Sequence, residues 1–155
     1  MPWSPPFSPL NPLSLRVFNA SLYHLGRLRA GRSRVPVEAF NFPLDNIGDW
    51  NRLYGPRGFH QYQCVLPSTD AAGGIYGLLD EVEAAGMAPV LSVLKRLGWA
   101  REGMLSFPME GFTLALDLAM KPGVPELLRR LDRRVVEAGG RVYLAKDAVM
   151  EPDTF

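Results

Sequence analysis

The regular part of the chain opens with Phe59-His60-Gln61-Tyr62-Gln63-Cys64-Val65-Leu66, which reads as a strand that ends at Pro67. Successive residues of a strand point to opposite faces, so Gln61 and Gln63 share one side. Apolar side chains are expected where a sheet face is buried, and two amides in a row there indicate contact with a polar ligand.

The pattern downstream of this strand predicts five further elements. Stripes of apolar residues predict two helices, at 70–85 and 123–138. Apolar runs predict three strands, at 89–97, 112–119 and 141–146. With the first strand at 58–66, the order is β-α-β-β-α-β, which predicts an α+β, ferredoxin-like antiparallel sheet with both helices on one face. The other face is then free to meet solvent, a ligand or a second domain, and we expect Gln61 and Gln63 on it.

The chain before residue 58 has a different character. Five prolines within residues 1–12 predict an extended arm, which precedes a helix-compatible spacing of apolar residues over 13–28. A short helix is predicted at Leu44–Tyr54, with Asp45 as its N-cap. We therefore predict a Pro-rich arm and connecting helical segment over 1–57 and one α+β domain over 58–155.

Composition excludes several classes of function. A net charge of +1 in 155 residues argues against a nucleic-acid binder that relies on neutralising phosphates. One cysteine and two histidines without ligand spacing predict neither a disulfide nor a metal site. The sequence has neither a long apolar run that would span a membrane nor the pattern of a secretory signal, so we expect a cytoplasmic setting.

Two predicted strands end on a lysine, at Lys95 and at Lys146. A lysine at a strand end is commonly a solvated edge charge, and Lys146-Asp147 has the form of a surface ion pair. The alternative is one shared site, formed with Gln61 and Gln63, for a hydroxyl-rich or anionic ligand. Spacing alone leaves both interpretations open.

Several blocks of sequence carry a family resemblance. They are Phe42-Pro43-Leu44-Asp45, Asp49-Trp50-Asn51-Arg52-Leu53-Tyr54-Gly55-Pro56, Val93-Leu94-Lys95-Arg96-Leu97-Gly98, Leu105-Ser106-Phe107-Pro108-Met109-Glu110-Gly111 and Gly139-Gly140-Arg141-Val142-Tyr143-Leu144-Ala145-Lys146-Asp147, in addition to the first strand. Together, over roughly residues 10–155, they resemble the C-terminal half of FAD-linked oxidases of the vanillyl-alcohol oxidase superfamily.

The resemblance implies that 58–155 is a substrate-binding (cap) domain. In that family a separate N-terminal domain binds FAD, so we expect such a domain as a partner in the same or an adjacent polypeptide, because this chain contains none. The implied reaction is oxidation of a secondary alcohol of a sugar or polyol, with hydride passing to the flavin. The isolated chain is then expected to be inactive and to hold FAD weakly.

The resemblance also assigns roles to individual residues. Gln63 matches a glutamine that contacts substrate, and Gln61 matches the glutamine that precedes it on the same face, so both are expected to bind substrate. Lys95 and Lys146 match lysines that line the pocket. Lys146 is the first choice for binding the reacting hydroxyl or the flavin edge, as a stabiliser of alkoxide charge or, with a lowered pKa, as a base.

Three positions of the resemblance depart from the family pattern. Asn41 falls where members of the family carry a pocket tyrosine, Thr113 where they carry an asparagine, and Ala115 where they carry a cysteine. We expect these three residues to line a substrate pocket of altered shape. The rival interpretation is a stand-alone ferredoxin-like module that binds a small ligand or dimerises through its open sheet face, without catalysis.

Overall fold

The computed structural model describes residues 12–41, 48–49, 52, 54–99, 103–146 and 149–155. The chain divides into two compact units, Met1–Gly58 and Phe59–Phe155, and each is described here by itself. The predicted Pro-rich arm, apart from Pro12, lies outside the described residues. So does most of the helix predicted at 44–54, including its N-cap Asp45.

The first unit contains two described helices, α1 over Pro12–Leu28 and α2 over Val37–Asn41. Helix α1 agrees with the spacing of apolar residues in the sequence, whereas α2 was not predicted. Many apolar side chains of α1 are exposed, among them Val17, Phe18 and Leu22, each more than half accessible. These side chains are therefore available for contact with another protein surface.

The second unit has the predicted order of elements. They are β1 over Phe59–Pro67, α3 over Ala71–Ala84, β2 over Leu91–Leu97, β3 over Gly111–Ala119, α4 over Val124–Glu137 and β4 over Arg141–Val142. The four strands form one sheet in the order β2-β3-β1-β4, and every neighbouring pair is antiparallel. The predicted α+β fold is thereby confirmed.

Alternation along β1 and β3 separates the two faces of the sheet. Tyr62, Cys64 and Leu66 of β1 are buried against the helices together with the leucines of β3. The helices complete this core with the residues Leu78, Val82, Leu127, Leu128, Leu131 and Val135. Because side chains alternate, Gln61 and Gln63 must point away from the helices, as predicted.

An ion-pair network joins the two helices across their polar sides. The carboxylate of Glu81 on α3 lies 3.0 Å from Nε of Arg130 and 2.8 Å from an Nη of Arg134, both on α4. Hydrogen bonds from Arg134 and then Arg130 lower the pKa of Glu81. The two helices are thus fixed to each other as well as to the sheet.

The last strand is shorter than predicted, so the prediction of a strand over 141–146 is wrong. Only Arg141 and Val142 pair with β1, and Leu144–Lys146 forms a 3-10 turn. The N–H of Lys146 donates to the carbonyl of Tyr143 at 2.8 Å, and this bond closes the turn. Leucine, alanine and lysine favour helical backbone over strand, and an edge strand has a partner on one side only. Lys146 therefore lies in a turn that follows the strand.

Gly73-Gly74 lies inside α3 and does not form a turn before it.

In the part of the chain that the structure describes, none of the helices has the length and hydropathy needed to cross a membrane.

Candidate functional site on the open sheet face

The sheet face that points away from α3 and α4, here called the open face, carries five of the predicted site residues. On β1 these are Gln61 and Gln63, on β3 they are Thr113 and Ala115, and on β2 the residue is Lys95. In the β1–β3 register Gln63 stands opposite Ala115, and in the β2–β3 register Lys95 stands opposite Thr113. The fold therefore places these five residues on one continuous surface.

Gln63 and Thr113 are in direct contact. Nε2 of Gln63 donates to Oγ1 of Thr113 at 3.1 Å, and the same hydroxyl donates to the backbone carbonyl of Cys64 at 2.8 Å. Thr113 is buried, while Gln63 is half-buried and remains accessible from the open face. Ala115, also half-buried, lies opposite Gln63.

Gln61 contacts a residue that the sequence analysis missed. Its Nε2 donates to Oδ1 of Asp117 at 2.9 Å, and Asp117 is only 1% exposed. The missed signal is the alternation along β3, in which Thr113, Ala115 and Asp117 interleave with three leucines. The same parity argument that selects Gln61 and Gln63 on β1 selects Asp117 on β3.

Lys95 lies on the β2 side of the open face and is exposed. It is opposite Thr113, and Thr113 is in turn opposite Val65. Neighbouring strands are about 4.8 Å apart, so the backbone of Lys95 lies about 10 Å across the sheet from β1. Lys95 thus shares the face of Thr113 and lies towards the β2 edge of the sheet, to one side of the glutamine pair.

Lys146 lies beside the other edge of the sheet, in the turn that follows β4. The N–H of Tyr143 donates to the carbonyl of Gln63 at 2.9 Å, and the turn Leu144–Lys146 that follows packs on β1. Lys146 is partly buried there. The two lysines therefore lie on opposite sides of the glutamine pair, because β2 and β4 are the two edge strands of the sheet.

The loop before β3 is tied to β4. The ring of Phe107 lies 4.6 Å from the ring of Tyr143, and an Nη of Arg141 donates to the carbonyl of Ser106 at 2.7 Å. Beside these contacts is a cleft of about 630 Å³, and its lining includes Met104, Leu105, Phe107, Val142, Leu144 and Phe155. Val136 of α4 also lines this cleft, which therefore lies beside β4 on the side of the helices.

Asn41 belongs to the first unit, where it ends α2 and its Nδ2 donates to the carbonyl of Val37 at 2.9 Å. Its predicted place in the substrate pocket stays a prediction.

Among the described residues, no group of three or more histidine, cysteine or acidic side chains could hold a metal ion.

The fold and the open face define an α+β domain with two half-buried glutamines, a buried threonine, a buried aspartate and an exposed lysine on one sheet face. No family model matches the sequence. The chain is 41% identical, over 116 residues, to decaprenylphosphoryl-beta-D-ribose oxidase of Mycolicibacterium smegmatis. It is also 43% identical, over 151 residues, to an uncharacterized protein in the mprA 5' region of Streptomyces coelicolor.

Both relatives are longer than this chain. The first match covers 75% of the chain but 25% of the mycobacterial protein, and the second covers 96% of the chain and 41% of the Streptomyces protein. The chain therefore spans between a quarter and a half of the length of these relatives, and it is similar to a part of each.

Proposed function

We propose that this chain is the substrate-binding part of an FAD-dependent oxidoreductase that oxidises a secondary alcohol of a sugar or polyol by hydride transfer to the flavin. The observation that carries the proposal is the 41% identity, over 116 residues, to an enzyme named as the oxidase of a ribose derivative. The match covers 75% of the chain, so wherever it begins it includes β1, with Gln61 and Gln63, and β2, with Lys95.

The chemistry of the open face supports an alcohol as the ligand. Gln63 presents its amide beside the hydroxyl of Thr113, and Gln61 presents its amide beside Asp117. Neutral amides exchange hydrogen bonds with hydroxyl groups. Lys95 and Lys146 supply positive charge at the two margins. The role of these residues is to hold the alcohol in one orientation relative to the cofactor, which lowers the entropic part of the barrier.

Lys146 is the residue we assign to the reacting hydroxyl. Its ammonium group donates a hydrogen bond to the alcohol oxygen and stabilises the negative charge that develops there as the hydride leaves. A neutral Lys146 would accept the hydroxyl proton instead. The turn Leu144–Lys146 packs on β1, so this side chain starts next to the strand that carries both glutamines.

FAD would supply the hydride acceptor, and the described residues fit only a part of it. The start of α3 is unsuited to the diphosphate, because a Cβ placed on Gly73 would meet Oδ1 of Asp70 at 2.8 Å, so a carboxylate already occupies that position. Lys146 is the described residue that would hold the flavin edge, as the alternative to its role at the reacting hydroxyl. The remainder of FAD is assigned to a partner domain in the same or an adjacent polypeptide, and the exposed apolar side chains of α1 provide a surface for such a partner.

A chimera tests the proposal directly. The 116 matched residues of the mycobacterial oxidase are replaced by the corresponding residues of this chain, and retention of FAD is read from the visible spectrum. Anaerobic bleaching of the flavin is then followed with decaprenylphosphoryl-beta-D-ribose, ribitol, arabinitol and free ribose. We expect at least one of these compounds to reduce the flavin.

The unmodified mycobacterial oxidase with its own substrate is the control. A chimera that holds FAD but stays oxidised with the whole panel, while the control is bleached, contradicts the proposal.

A further inference from the structure

We propose that Thr113 and Asp117 are positioning residues that fix the amide orientation of Gln63 and Gln61. Both glutamines then hold their nitrogen against β3 and turn their carbonyl oxygen to the open face, so the pair selects a ligand that donates hydrogen bonds. The inference deepens the proposed function and rests on it for the presence of a substrate on this face.

The orientation of Gln63 follows from a chain of donors and acceptors. The backbone carbonyl of Cys64 can only accept a hydrogen bond. The Thr113 hydroxyl, 2.8 Å away, must therefore donate its one proton to this carbonyl. The Thr113 oxygen is left as an acceptor for the side chain 3.1 Å away, and that side chain must therefore present Nε2 of Gln63. A rotated amide would place its oxygen against a hydroxyl that has no proton left to donate.

The orientation of Gln61 follows from a carboxylate. Nε2 of Gln61 donates to Oδ1 of Asp117 at 2.9 Å, and a carboxylate oxygen accepts hydrogen bonds. Asp117 is only 1% exposed, so water does not compensate if the amide rotates and brings two oxygens together. Two unlike residues of β3 thus impose the same orientation on the two glutamines of β1.

The consequence for a ligand is geometric. Gln61 and Gln63 are two residues apart on one strand, so their side chains leave the backbone about 6.8 Å apart and in the same direction. Each amide keeps its carbonyl oxygen and one further N–H for a ligand, and the oxygen cannot turn towards β3. A polyol can donate a hydrogen bond from one hydroxyl to each carbonyl oxygen. An anion that only accepts hydrogen bonds would face two oxygen atoms that also only accept them.

The sequence makes a direct test possible, because Gln61 and Gln63 are the only two glutamines in the chain. Labelling the glutamine side chains with ¹⁵N and with ¹³C at Cδ gives two NH₂ groups and two carbonyl signals in an NMR spectrum of the full chain. In the unsubstituted protein we expect each NH₂ group to have one proton shifted downfield and protected from exchange with water. Two NH₂ groups that exchange like those of free glutamine overturn the proposal without any substitution.

Matched substitutions separate positioning from a general effect on folding. Thr113→Val should abolish the protected proton of Gln63 and leave that of Gln61, whereas Thr113→Ser should preserve both. Asp117→Ala should abolish the protected proton of Gln61 alone, whereas Asp117→Asn retains an acceptor oxygen and should preserve it. In each variant the other glutamine reports that the sheet is folded. Unchanged Gln63 signals in Thr113→Val overturn the assignment.

Ribitol and sodium sulfate serve as probes of selectivity. We expect ribitol to shift the Cδ signals of Gln61 and Gln63, because a hydrogen bond to a carbonyl oxygen changes the shielding of its carbon, and sulfate to leave both unchanged. A shift with sulfate, or none with ribitol up to its solubility limit, overturns the selectivity. Failure of the proposed function is distinguishable, because it leaves the protected amide protons in place while the flavin of the chimera stays oxidised.

Discussion

Cys64 shows how a position within one strand decides the chemistry of a side chain. It lies between Gln63 and Val65 but points to the helices, where it is fully buried. Burial raises the pKa of its thiol to about 12, the charge of Asp132 adds to the rise, and a backbone hydrogen bond with Leu114 opposes it. A reactive nucleophile is therefore excluded one residue away from the candidate site, since the thiol stays protonated near neutral pH.

We predict that this thiol resists labelling in the folded chain. At pH 8, reaction with a disulfide reagent should be about 100-fold slower in buffer than in denaturant. In the folded state the reagent cannot reach the sulfur atom, and the thiol stays protonated. The reaction titrates one thiol per chain, because Cys64 is the only cysteine. Equally fast labelling in the two conditions would show that Cys64 is exposed.

The same thiol predicts a loss of stability in alkali. The folded-state pKa of about 12 lies above the ordinary value of 9.0, so the folded state keeps a proton that the unfolded state loses. Stability should fall as the pH rises from about 9 towards 12, by up to about 1.4 kcal/mol per pH unit from this group. Cys64→Ala, followed by urea unfolding at pH 8 and pH 10, should show a smaller decline than the unsubstituted chain.

Parity along single strands predicted part of the site and missed the rest for a physical reason. It places Gln61 and Gln63 on one face because alternation within a strand is local, whereas the position of Lys95 on the same face follows from the register of β2 against β3. The contact between Gln61 and Asp117 joins residues 56 positions apart, so it depends on the register of β1 against β3. Register is set by the packing of the whole sheet and is not contained in either strand.

At the scale of elements, the sequence predicts best where burial is periodic. The bounds of β1, β3, α3 and α4 agree with the predicted ones within one or two residues, because each element buries one regular stripe or alternating row. The prediction fails at β4, where burial is slight and backbone hydrogen bonds decide between strand and turn. Helix α2, with five residues, is too short to show a period.

We predict that β4 depends on Gly140. A Cβ at this position would lie 2.4 Å from the carbonyl oxygen of Val65 and 2.9 Å from a methyl group of Leu66, so only glycine lets the chain approach β1 here. Gly140→Ala should lower the free energy of unfolding by about 2 kcal/mol or more, measured by urea denaturation.

Gly98→Ala is the matched control, because nothing lies within 4 Å of its added Cβ. We expect this variant to change stability by about 0.5 kcal/mol or less. Equal effects of the two substitutions would contradict the close approach of β4 to β1.

At the scale of the whole molecule, the second unit contains both the core and the open face, while the first unit exposes the apolar side chains of α1. A stand-alone ligand-binding or dimerising module would have to cover that helix by itself or by self-association. A substrate-binding part of a larger flavoprotein would cover it with a partner domain. Size-exclusion chromatography, with and without the part of the mycobacterial oxidase that lies outside the match, separates these two interpretations.

The assignment of Lys146 is testable only in such a flavoprotein. In the FAD-loaded chimera, Lys146→Ala should slow reduction of the flavin by about 100-fold or more, because removing a donor to a developing oxyanion typically has an effect of this size. Lys121→Ala, at an exposed lysine outside the sheet, should leave the rate unchanged.

Lys146→Arg distinguishes the two roles of Lys146, because arginine keeps the charge but does not give up a proton. A partly retained rate identifies Lys146 as an electrostatic stabiliser, and a loss as large as that of the alanine variant identifies it as the base. An undiminished rate in Lys146→Ala would remove this lysine from the site.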